Sequence, residues 1–80
     1  MPSYVLIHEH EPRECGAAFA AWKGFASPLR RKVTLGSCPR GGHRLLWTVE
    51  AATEDDALAQ LPTFLAARTN VLEMSEVRIP

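Results

Sequence analysis

The sequence predicts an α+β fold, a four-stranded antiparallel sheet with two helices on one face. Three observations predict it. Short runs rich in β-branched, aromatic and other apolar residues stand at 3–9, 32–38, 43–51 and 70–79. Between the first and second runs, and between the third and fourth, apolar residues recur at spacings of three and four instead. Turn-forming residues punctuate the changes, at Ser27-Pro28, at Pro39-Arg40-Gly41-Gly42 and at Thr53. The order is β-α-β-β-α-β.

The first strand, "YVLIHEH" with its flanks, places Val5 and Ile7 on one face. Tyr4, Leu6, His8 and His10 fall on the other, because side chains alternate along a strand. Pro12 suits the first turn of a helix, where its missing N–H costs nothing, and Glu11 and Glu14 sit near the positive end of the helix dipole. Cys15, Ala18, Phe19, Trp22 and Phe25 form its apolar stripe, and Gly24 and Ser27-Pro28 stop it. "KVTLGSC" and "HRLLWTVEA" flank a Gly-rich turn and read as a hairpin. Thr53 followed by Glu54, Asp55 and Asp56 is a helix start. Leu58, Leu61, Phe64 and Leu65 give the second stripe, and Pro62 within it predicts a kink or a division. "NVLEMSEVRI" closes the order as the fourth strand.

Eighty residues make one domain, spanning 1–80, with a thin core. Nine basic and nine acidic side chains cancel, which gives no global electrostatic argument for nucleic acid or an acidic membrane. No basic stretch followed by a long apolar core marks a secretory signal, and no apolar run approaches the roughly 18 residues of a membrane span. Two cysteines, Cys15 and Cys38, are too few for a disulfide scaffold and fit a reducing cytoplasm. Cytoplasmic localisation is the expectation.

A β-α-β-β-α-β chain is the split βαβ, or ferredoxin-like, arrangement, with sheet order 4-1-3-2. The expected helix-facing set is Val5 and Ile7, Val33 and Leu35, Leu45, Trp47 and Val49, and Val77 and Ile79. The open face then carries Tyr4, Leu6, His8, His10, Arg44, Leu46, Thr48 and Met74, among others. So mixed a face suits an interaction surface, and two such sheets face to face would form a homodimer.

This layout resembles the dimeric α/β-barrel superfamily, which includes muconolactone isomerase-like proteins, small cofactor-free monooxygenases and YciI-like proteins. The segments "GGHRLLWTVEA", "LPTFLAART" and "SEVRIP" also look like those of small bacterial proteins. The resemblance is architectural and matches no catalytic signature. It implies dimers with a ligand pocket between sheet and helices or between sheets, and fold alone does not fix function.

The topology gathers the end of strand one, the end of strand two and the starts of strands three and four at one edge. His8, His10, Cys38 and His43 all belong there, and as a ligand set they suit Zn, Ni or Cu better than Mg or Ca. Cys15, in the helical stripe, is assigned to the opposite face and reads as a small buried hydrophobe. Binding of a small ligand or a transition metal at this edge is the leading expectation. A cofactor-independent isomerase or monooxygenase is the alternative, with His8 or His10 as acid/base and Tyr4 and Arg44 orienting a carboxylate or enolate. A structural or protein-interaction module needs no site at all. The Arg30-Arg31-Lys32 cluster lacks the exposed sheet aromatics of an RNA-binding face, since Trp47 is assigned to the helix side.

Overall fold

A computed structural model describes residues 1–80. Four strands form one sheet in the order β2-β3-β1-β4: β1 is Ser3–Glu9, β2 Leu35–Gly36, β3 Arg44–Glu50 and β4 Thr69–Met74. Every neighbouring pair is antiparallel. Three short helices complete the α+β architecture: α1, Cys15–Ala20, entered through a 3₁₀ turn at Pro12–Glu14, then α2, Glu54–Leu58, and α3, Thr63–Ala66. The expected order and sheet arrangement are therefore present, with several elements shorter than the sequence implied.

Local chemistry sets those lengths. The Thr53 hydroxyl accepts the Asp56 N–H at 3.1 Å, capping α2 beneath three acidic first-turn residues. Pro62 divides the second helical stretch and stands at the N-cap of α3. The first helix ends sooner than its stripe suggested, the chain turning through Gly24 at φ 72°, and Phe19 is left 54% exposed. β2 holds only two residues because Arg31 at φ 66° turns the chain before it and a 3₁₀ turn at Cys38–Arg40 follows it. Gly36 lies so close to β3 that an added Cβ would stand 2.7 Å from Leu45 Cδ2.

The register corrects the assignment of faces. Tyr4 lies opposite Val49, Leu6 opposite Trp47 and His8 opposite Leu45, and directly opposed residues share a face. Tyr4, Leu6, Leu45, Trp47 and Val49 thus form one core, with Ala57, Leu61 and Leu65 above them and Trp22 packed alongside. Val5 and Ile7 turn to the open face beside Leu46 and Leu72. The expectation for β3 holds, whereas that for β1 is inverted: Tyr4, Leu6, His8 and His10 belong to the core side. The run from Tyr4 to Ile7 is apolar on both faces, so alternation alone cannot orient it; pairing with Trp47 can.

Four more residues of the expected helix-facing set are corrected. Val33 and Leu35 are exposed, and so are Val77 and Ile79, which follow the end of β4 in a segment without secondary structure. No helix is long and apolar enough to cross a membrane.

Candidate metal centre

β1 does not stop dead at Glu9. The His10 N–H donates to His43 O at 3.2 Å, carrying the ladder one step further and setting the two histidines opposite each other. Their ring centroids are 5.5 Å apart. His43 itself has φ 55°, a left-handed backbone that histidine tolerates better than most side chains. It follows Gly41 at φ 81° and Gly42, whose Cβ, if present, would collide with the Ser37 side chain.

Ser37 ties this hairpin shut. Its N–H donates to Arg44 O at 2.8 Å, its hydroxyl accepts the Arg44 N–H at 3.0 Å, and its carbonyl accepts the Gly42 N–H at 2.9 Å. Cys38, the next residue, is thereby fixed beside the start of β3. Cys15, the first residue of α1, is placed from the other side. Glu14 before it accepts from the Arg68 guanidinium at 3.0 Å, and the Glu14 side chain also caps the Glu11 N–H at 2.9 Å. These donors, the Glu11 amide first, hold the Glu14 carboxyl below the usual range.

The result is a cluster of His10, Cys15, Cys38 and His43, with one ligand atom from each lying within 4.8 Å of all the others. Bond lengths of about 2.0–2.3 Å imply tetrahedral edges of roughly 3.3–3.8 Å, so modest closure brings all four onto one ion. Cys38 Sγ already lies 3.9 Å from His10 Nε2. His43 Nδ1 is buried with no hydrogen-bond partner, so a cation bound here would satisfy it. Both cysteines are free thiols. Burial, then the neighbouring Cys15, pushes the Cys38 thiol up, so a bound cation is what would make it a thiolate. These four residues are positioned to coordinate a metal ion.

His8 stands behind this group. It is fully buried, and its Nδ1 lies 3.2 Å from both Leu65 O and Thr69 Oγ1. A carbonyl only accepts, so His8 Nδ1 carries the proton and Nε2 is left as an acceptor. His10 Nδ1, 2.9 Å from that Nε2, must then be the donor. The chain of donors leaves the lone pair of His10 Nε2 as the acceptor that faces Cys38 Sγ. Burial lowers the His8 pKa, in keeping with a neutral ring.

Of the sequence candidates, His10, Cys38 and His43 come together, whereas His8 supports His10 from behind. Cys15 is the residue that sequence reasoning missed, and its assignment to the far face is corrected here. One inverted parity moved both: with His8 and His10 turned to the core side, α1 and the histidines share a face. Tyr4 is buried in the core, whereas Arg44 is exposed on the open face and binds Glu9 Oε2 at 2.6 Å. The two lie on opposite sides of the sheet and cannot orient one ligand together. Comparison with protein-family models, with curated proteins and with solved structures finds no match to this chain.

Proposed function

We propose that the protein binds one transition-metal ion, Zn²⁺ before Ni or Cu, through His10, Cys15, Cys38 and His43. The observation that carries this reading is the convergence of two thiols and two imidazoles from separate stretches of chain within 4.8 Å. Two sulfur and two nitrogen ligands suit a tetrahedral d¹⁰ ion and give Mg²⁺ or Ca²⁺ no oxygen donor. Four protein ligands fill the tetrahedron, which favours a structural role over a catalytic one. The ion would staple the end of β1, the start of α1 and the β2–β3 hairpin, the support that a thin 80-residue core benefits from. It needs both thiols reduced, which favours a cytoplasmic setting.

The sheet order and the β-α-β-β-α-β sequence of elements support a ferredoxin-like assignment. The open face, half apolar through Val5, Ile7, Leu46 and Leu72, supports a homodimer.

Metal analysis of untagged protein tests the function. We expect about one Zn²⁺ per chain and, on Co²⁺ substitution, the visible bands of a tetrahedral thiolate site. With metal at about 100 times its Kd, the ion contributes about 2.7 kcal/mol. Chelation would then lower Tm by roughly 10–20 °C. Metal-free protein whose Tm ignores both Zn²⁺ and chelator would reject the reading.

A further inference from the structure

Between the 19–34 segment and β3, a cavity of about 230 Å³ opens on the core side of the sheet. Its floor is aromatic and aliphatic. Trp22 and Trp47 stand with ring centroids 6.0 Å apart and tilted by 55°, Leu45 lies beside them, and the exposed Phe19 forms one wall. Its rim is cationic, made by Arg30, Arg31 and Lys32.

Three features separate this rim from an ordinary solvated basic turn. The turn is anchored: the Ser27 hydroxyl donates to Gln60 O at 2.7 Å and accepts the Leu29 N–H at 3.1 Å. The Arg30 N–H then donates to Ser27 O and the Lys32 N–H to Leu29 O. Arg31 takes a left-handed backbone, φ 66°, which an arginine side chain disfavours and a glycine would adopt freely. Finally, the charge is uncompensated. No acidic residue lines the cavity, and the chain's two ion pairs, Glu9–Arg44 and Glu14–Arg68, lie elsewhere. A chain of zero net charge therefore sets three of its nine cations around one apolar cavity.

A neutral apolar ligand would leave those cations unanswered, and a bare inorganic anion would leave the indoles empty. We propose that this cavity binds a small aromatic carboxylate, its ring against Trp22 and Trp47 and its carboxylate on the Arg30–Lys32 rim. The size agrees: a cavity of about 150 Å³ takes benzene, so 230 Å³ takes a ring with a short acidic arm. Guanidinium groups pair with a carboxylate through two parallel N–H bonds, and the indoles supply the aromatic faces. The proposal does not depend on the metal, since none of the four candidate ligands lines the cavity.

The experiment is an NMR titration of the 80-residue chain, following the indole N–H signals of Trp22 and Trp47. The probes are phenylacetate, its neutral isostere phenylacetamide, and inorganic phosphate. Phenylacetate is expected to shift both indoles saturably, with Kd in the millimolar range or tighter, and phenylacetamide to bind about tenfold more weakly. The variant Arg30→Gln/Arg31→Gly/Lys32→Gln removes the charge while glycine accepts the φ of position 31, so it is expected to stay folded, which an unchanged Tm checks. It should bind acid and amide alike. Equal affinity of the two probes for the unmodified protein overturns the proposal. So do indole shifts produced equally by phosphate, the absence of any saturable shift, and shifts that follow protein concentration, which would mean that a second copy covers the cavity.

Discussion

His8 Nε2 lies 2.9 Å from His10 Nδ1, and both residues are buried, His8 fully and His10 to 5% exposure. The Leu65 carbonyl behind His8 fixes which nitrogen of each ring holds a proton, so this contact orients the His10 Nε2 that faces Cys38. Outer partners of this kind commonly set metal affinity by 10–100-fold. His8→Phe keeps an aromatic ring but removes the acceptor, leaving the His10 Nδ1–H unpaired. Chelator competition should show Zn²⁺ affinity reduced by about 10–100-fold, with the tetrahedral Co²⁺ spectrum retained. An unchanged affinity would make His8 mere filling.

Gly42 carries the tight approach of the hairpin to Ser37. An added Cβ would stand 2.7 Å from Ser37 Cβ and displace the hydroxyl that holds the Arg44 N–H. Gly42→Ala should destabilise the fold by about 1–3 kcal/mol, as overpacking does, and should weaken metal binding because Cys38 and His43 flank the displaced loop. Gly41 is the contrast. It meets nothing within 4 Å, so Gly41→Ala should cost only the left-handed backbone, about 1–2 kcal/mol, read from chemical denaturation.

The sheet order was legible because each strand has its own turn signals and β-formers, and because short, uncrossed connections between strands and helices allow few arrangements. The gathering of His10, Cys38 and His43 followed from that order alone. Facing was not legible in β1, where Tyr4, Val5, Leu6 and Ile7 give an apolar residue at every position. It was legible in β3, where Leu45, Trp47 and Val49 alternate with Arg44, Thr48 and Glu50. Cys15 was lost through this same ambiguity rather than through its own context. The ends of β2 and β4 were overextended because Val33, Val77 and Ile79 have β-propensity, yet no partner strand lies beside them.

That last point has its own test. Val77 and Ile79 are exposed, so Val77→Ser and Ile79→Ser should each change stability by no more than about 0.5 kcal/mol. A buried role would instead cost about 1.5–3 kcal/mol for each side chain. Urea midpoints separate the two outcomes.

Tyr4 gives the pH dependence that is easiest to read, because it is the chain's one tyrosine. Burial raises its phenol pKa above the ordinary 10.0, and the carboxylates of Glu73, Glu54 and Asp56 add to the rise. The ionised form is thus disfavoured in the folded protein, whereas the unfolded chain loses the proton at its ordinary pKa. Between those two pKa values the folded state holds more protons than the unfolded state, so stability falls as pH rises through 10.0. Phenolate absorbance should report a midpoint above 10.0 in buffer and a return to the ordinary value in strong denaturant. Tyr4→Phe should flatten the alkaline fall in Tm. A folded-state midpoint at or below 10.0 would mean instead that the phenol oxygen reaches solvent at the margin of the core.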